Sequence, residues 1–187
     1  MAASHGRIAA ALFAAGGTTY AEQAGIRLTD KPSPLYRLLV LSVLLSARIS
    51  ADIAVAAARE LSTAGYRTPR AMAEATWQDR VDALGRGHYR RYDERTATML
   101  GQGAELLLRE YGGDLRRLHQ QGADTAAVEE ALQRFPGIGP TGAAIFCREA
   151  QGVWRDLAPY VDERAADGAA RLGLPRSASR LVALVGP

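Results

Sequence analysis

The run from Leu35 to Ala47 is apolar almost all the way round when wound as a helix, and it follows a sharp break at Lys31-Pro32-Ser33-Pro34. A helix with no polar face must be enclosed by protein, so this run sets the centre of the fold and other elements have to cover it. The covering segments are helical in period too. None alternates polar and apolar residues as a half-buried strand does, and turn signals recur roughly every 10 to 20 residues, which gives an all-α expectation.

Before the break, Ile8 to Ala15 reads as a short apolar helix ended by Gly16-Gly17, with a second helical stretch before Gly25. After it, Asp52 precedes a helix over Ile53 to Leu61 that closes at Ala64-Gly65. Thr68-Pro69 opens another, with Met72 and Ala73 on its apolar side, and Thr76 caps a short one that points Val81 and Leu84 inward and ends at Gly85-Arg86-Gly87. The spacing of Met99, Leu100, Leu106, Leu107 and Leu108 predicts a long helix from about Tyr92 to Tyr111, stopped by Gly112-Gly113. Asp124-Thr125 starts a helix to Arg134, Pro140 one to Ala150, and Asp162 one through Leu172.

Composition narrows the function. The 187 residues are 48% hydrophobic and 23% charged, enough for one globular unit or two closely packed small ones. A net charge of +3 permits a nucleic-acid partner only through local clustering. Cys147 is the sole cysteine, so the chain supplies no disulfide and no Cys-rich zinc or iron–sulfur site. Lys31 is the sole lysine. No apolar run approaches the ~20 residues of a membrane span, and the expectation is a soluble cytoplasmic protein that does not engage membranes.

The stretch richest in chemistry is Phe135-Pro136-Gly137-Ile138-Gly139-Pro140-Thr141-Gly142-Ala143, a glycine-rich turn between two apolar helical segments. Its glycines free the backbone, and Pro140 suits the first helical position. Unpaired N–H groups at the start of such a helix, with the positive end of its dipole, form an anion site. The densest basic stretch lies elsewhere, at Arg86-Gly87-His88-Tyr89-Arg90-Arg91-Tyr92 and on to Arg95. Arginines interleaved with aromatics suit phosphate and stacking contacts, and they equally suit a solvated helix start. His88 and Cys147 have no metal-ligand spacing and read as surface and core, while Trp77 and Trp154 read as core or edge packing.

The run Leu132 to Gly139 resembles the helix-hairpin-helix of the endonuclease III-like (HhH-GPD) DNA glycosylase superfamily. Leu44-Leu45-Ser46-Ala47-Arg48 resembles that family's Leu-Leu-Ser-Ala-Gln at the end of its core helix, and Gly87-His88-Tyr89 its Gly-x-Tyr. Val161-Asp162 and Arg171-Leu172-Gly173 resemble its Val-Asp and Arg-Leu-Gly, so the ordered matches run from about Pro34 to Gly173.

The resemblance implies a two-lobed helical fold, with residues 1–33 and 163–187 forming one lobe and 34–162 the other, the hairpin occupying about 124–150. It implies that Asp162 is the carboxylate that stabilises an oxocarbenium-like transition state, although an Asp there is also an ordinary helix cap. Thr141 stands where the strand-cleaving members carry a Schiff-base lysine, and it either positions water or caps the next turn. Lys31, in a loop before the core helix, is a poor replacement, so strand cleavage is expected to be weak or absent. Ser42 stands near the position of the glutamate used by the adenine-removing branch. Arg48 stands where the family has a wedging glutamine, and it also suits a solvated helix end. By the same resemblance Gly137, Ile138, Gly139 and Gly142 would hold a DNA phosphate, with a sodium or potassium ion on the hairpin carbonyls, and Arg90 and Arg91 would add contacts. Arg176 and Arg180 are further phosphate candidates or solvated arginines. With no cysteine after Leu172, no iron–sulfur cluster and no other cofactor is expected. The implied activity is monofunctional base excision on double-stranded DNA with a lesion, mismatch or abasic site, by a monomer associated with the nucleoid. A DNA-damage or DNA-structure binding protein without catalysis is the alternative.

Overall fold

The computed structural model describes residues 2–185. In chain order its helices are α1 (Ala2–Gly16), α2 (Tyr20–Gln23), α3 (Pro32–Leu45), α4 (Ala51–Thr63), α5 (Pro69–Glu74), α6 (Trp77–Arg86), α7 (Asp93–Tyr111), α8 (Leu115–Gln121), α9 (Thr125–Gln133), α10 (Pro140–Ala150), α11 (Glu163–Arg171) and α12 (Ala178–Val185). A single 3₁₀ turn, Arg155–Leu157, lies between α10 and α11. Among the described residues there is no strand, as the sequence predicts.

Helix α3 occupies the centre. Pro32 at its first turn has no N–H to satisfy, and every residue from Leu38 to Leu44 is buried, which follows from the missing polar face. It packs against α4, α8 and α10. Each buried leucine contributes about 1.5–3 kcal/mol, so this helix alone anchors much of the core. Helix α7 shows the opposite pattern, with Ala97, Leu100, Ala104, Leu107 and Tyr111 buried at helical spacing and a solvated back. It packs against α5 and α6. Helices α1 and α12, from the two ends of the chain, pack against each other.

Close approaches are set by small residues. A Cβ on Gly87 would fall 2.4 Å from the Cα of Ala57, so α6 can end against α4 only with glycine there. The turn after it places His88 at a φ of 62°, a conformation that glycine or asparagine usually supplies. Beside it, Arg80 is 8% exposed and donates to the carbonyls of Met72, Ala75 and Ala97 at 2.9, 2.7 and 2.8 Å. One guanidinium thus closes the C-terminal end of α5 and ties it to α7.

Short helix α2 is held by charge at both ends. Glu149 accepts from the N–H groups of Tyr20 and Ala21, while Arg59 and Arg37 donate to the carbonyls of Gln23 and Gly25. This polarity complements the helix dipole.

Several expectations need correcting. Ser50 caps α4 by accepting from the Ile53 N–H, and Asp52 lies inside the helix rather than before it. Both residue types cap well, so sequence alone does not choose between them. Lys31 is the residue immediately before α3, so the core helix begins there and not further on. Helices α8 and α12 have no counterpart in the sequence reading. Trp154 is core, 2% exposed, whereas Trp77 is 41% exposed. Arg176 is a half-exposed arginine in a surface ion-pair network, with Glu163 at 2.8 Å and Asp167 at 2.5 Å.

Candidate functional site

The hairpin is α9, a turn, and α10. Phe135 and Ile138 point into the core at 2% and 5% exposure and anchor the turn from beneath, so the side chain of Ile138 faces protein and only its backbone faces outward. Gly137 takes a φ of 87°, and a Cβ there would meet Val43 and Met99. Gly142 is buried, and a Cβ on it would come within 2.4 Å of Ser46 Oγ, so it lets α10 lie directly on the end of α3. Gly139 differs from both, because a Cβ there would meet nothing within 4 Å. Its exposed backbone is the N-cap of α10, with no side chain closing the helix end. The carbonyls of Gly137 and Ile138 accept no hydrogen bond from the described residues.

A cleft of about 1270 Å³ opens beside this turn, walled by the ends of α3 and α10, the segment before α2, and the start of α11. Thr141, Arg48 and Asp162 all line it. Thr141 is exposed and makes no capping hydrogen bond, so its hydroxyl is free toward the cleft. Gly137, Ile138, Gly139 and Gly142 sit behind or beside its rim, and Arg90 and Arg91 lie outside it, with Arg91 over the ring of Tyr92. Ser42 is fully buried and donates to the Leu38 carbonyl, away from the cleft. Lys31 does not line it, and at the opposite end of α3 it is separated from Ser46 by roughly 20 Å of helix.

Asp162 caps α11. Its Oδ1 accepts from the Ala165 N–H at 2.7 Å and its Oδ2 from Nη1 of Arg148 at 2.6 Å. Both carboxylate oxygens are therefore fixed in place. The backbone beside it is fixed as well, because Gln151 Oε1 accepts from the Tyr160 N–H and Gln151 Nε2 donates to the Tyr160 carbonyl, at 2.9 and 3.1 Å. The Tyr160 hydroxyl donates to Glu129 on α9. Burial raises the phenol above its usual range and the Glu129 carboxylate raises it further, so it stays protonated and its ring stays oriented on the cleft wall. Cys147 is fully buried behind this wall, and desolvation pushes its thiol up to about 12.

Three arginines and three carboxylates line the cleft, namely Arg48, Arg148, Arg164, Glu149, Asp162 and Glu163. Formal charge balances, yet hydrogen-bonding capacity does not. Glu149 holds α2, Glu163 pairs with Arg176, and Asp162 is held as described, whereas Arg48 and Arg164 have no ion-pair partner among the described residues. In addition, α4, α10 and α11 present their N-terminal ends here, through Ser50-Ala51, Pro140-Thr141 and Asp162 to Ala165, opposite the C-terminal ends of α1 and α3 at Gly16 and at Leu45 to Ala47. An N-terminal end carries about half a positive charge and a C-terminal end about half a negative one; α4 and α11 are capped by Ser50 and Asp162, whereas α10 has no side-chain cap and keeps its N–H groups open. The free donors of the cleft are therefore Arg48, Arg164 and the open N-terminus of α10, beside one fixed carboxylate.

Arg148, Gln151, Glu129 and Arg164 are absent from the sequence reading. An arginine in the last turn of a helix reads as a partner of the dipole, and nothing in sequence pairs Arg148 with a residue across the intervening loop. No group of three His, Cys, Asp or Glu side chains comes together among the described residues to hold a metal ion. No helix among them is long and apolar enough to cross a membrane. No protein-family model matches the chain, and no curated protein or solved structure matches it.

Proposed function

We propose that this chain is a monofunctional DNA glycosylase of the endonuclease III-like kind, which hydrolyses the N-glycosidic bond of a damaged or mismatched base and leaves an abasic site. One observation carries the reading: Asp162, Thr141 and Arg48, far apart in sequence, share a cleft on which three helix N-termini converge. Those ends, with Arg48 and Arg164, suit a phosphate backbone. The cleft, at about 1270 Å³, is open to solvent along its length and has room for a nucleotide together with its backbone.

In this reading the base leaves as positive charge develops on the sugar, and Asp162 stabilises that charge and orients the attacking water. Capping keeps the carboxylate in register with α11. Thr141 has no amine with which to form an imine, so the strand stays intact. The free carbonyls of Gly137 and Ile138 suit a monovalent cation that would bridge the turn to a phosphate. Arg48, on the rim, suits filling the gap left by the flipped base.

The Arg148 partner of Asp162 favours a second reading, because a guanidinium at 2.6 Å offsets the negative charge that catalysis needs. The chain would then be a DNA-damage or DNA-structure binding protein. Duplexes each carrying one lesion separate the two, assayed with and without alkali. Base release with strand breakage only after alkali supports the glycosylase, and tight binding without release supports the binder. A borohydride-trapped adduct would overturn both in favour of a lyase.

A further inference from the structure

We propose that Arg148 is a positioning residue that couples the Asp162 carboxylate to a backbone phosphate of bound DNA, an inference that rests on the DNA reading above and adds a residue to it. Arg148 gives only Nη1 to Asp162, at 2.6 Å. Its Nε and Nη2 donate to no described residue, and the side chain is 27% exposed on the cleft wall. A planar guanidinium carries five N–H donors in a rigid fork, so it can hold one acceptor on one edge and a second on the other. The other cleft carboxylates are engaged elsewhere, which leaves the free edge of Arg148 to an acceptor from outside, and phosphate is the acceptor that DNA supplies.

The backbone supports the same coupling. Gln151 donates to the Arg148 carbonyl at 2.9 Å and clamps Tyr160 from both sides, so the end of α10 and the loop into Asp162 are held as a unit. In the free protein the guanidinium offsets the charge of Asp162. A phosphate on its outer edge balances the guanidinium and returns the negative field to the carboxylate, so Asp162 becomes fully effective only when the backbone is seated. The charge offset that favours a binding protein is thereby a property of the unliganded state.

The test compares Arg148→Gln, Arg148→Lys and Asp162→Asn with the native chain, by fluorescence anisotropy on a lesion duplex over a salt series and by single-turnover base release. For Arg148→Gln the slope of log K against log salt falls by about 0.9, one phosphate's worth, and release slows more than tenfold. Arg148→Lys keeps the slope, because an ammonium still neutralises a phosphate, but slows release about tenfold or more because a compact ammonium has no rigid planar fork with which to hold Asp162 on one edge and a phosphate on the other. Asp162→Asn keeps the slope. A purely structural role for Arg148 would leave the salt slope untouched. An unchanged slope in Arg148→Gln, or native release in Arg148→Lys, overturns the inference and leaves the glycosylase reading standing. Duplex binding without release by the native chain overturns the glycosylase reading, and the Arg148→Gln slope then decides the phosphate contact by itself. A native chain that binds no duplex overturns both.

Discussion

Two parts of this molecule are rich in arginine, and they are built on different principles. From Arg86 to Arg95 the chain places arginines close together in sequence, on an exposed turn and helix start outside the cleft. The cleft has fewer arginines, drawn from the loop after α3 and from α10 and α11, but its acids are engaged and the open N-terminus of α10 faces it. Local density gives a solvated basic face, whereas convergence of free donors around a fixed carboxylate gives a place where an anion can be bound and acted upon. Charge along the chain is a poor guide to a site when the fold decides which charges are already satisfied.

The largest effect is expected from removing Asp162, the cleft carboxylate fixed through both of its oxygens. Asp162→Asn keeps a cap, since asparagine also accepts from the Ala165 N–H, so the fold is retained. Base release is expected to fall about 10²–10³-fold with duplex affinity unchanged within about threefold. A second change tests how the cleft is built. Gly142→Ala forces a Cβ toward Ser46 Oγ and should cost about 1–3 kcal/mol in urea unfolding, of which Ser46→Ala recovers part because it removes the clashing atom. Equal destabilisation with and without Ser46→Ala would show that the contact does not set the helix spacing.

Affinity then sets the two arginine-rich regions against each other. Arg48→Ala should weaken lesion-duplex binding about five- to tenfold, while Arg90→Ala with Arg91→Ala should weaken it less than about threefold at physiological salt. The reverse order would make the dense stretch the principal interface. Gly139→Ala is a finer probe, because its Cβ would enter open space. Stability should stay within about 0.5 kcal/mol, and duplex affinity should drop where a phosphate needs to approach that backbone. The smallest effect concerns Cys147. With its thiol pushed up to about 12 by burial, it should resist alkylation in the native protein at pH 8 and react once the chain is unfolded.

What sequence made legible follows the same division. The apolar girth of Leu38 to Leu44 announced the buried centre, and Pro140 announced the first residue of α10, because both signals are local. Helix α8 escaped because it is seven residues long with only Leu115 and Leu118 buried, too short for a period to emerge. Ser50 and Asp52 compete as caps on equal chemical terms, and in the fold Ser50 caps α4 while Asp52 sits in its first turn. At the cleft, the candidate residues Thr141, Arg48 and Asp162 were nameable in advance, but the partners that orient them were not. Arg148 meets Asp162, Glu129 meets Tyr160 and Glu149 meets α2 across loops or whole helices, so each reads locally as an ordinary surface charge. Gly137, Gly139 and Gly142 look alike in sequence, yet one supplies a left-handed turn, one leaves open space and one admits a neighbouring helix.

The most direct test of the account is single-turnover base release from duplexes that each carry one lesion, with the native chain and Asp162→Asn side by side. The account predicts release of a free base by the native chain, leaving a strand that breaks only in alkali, and at least a hundredfold slower release by Asp162→Asn at equal occupancy. Equal release by the two proteins, or none by either despite tight binding, would contradict it.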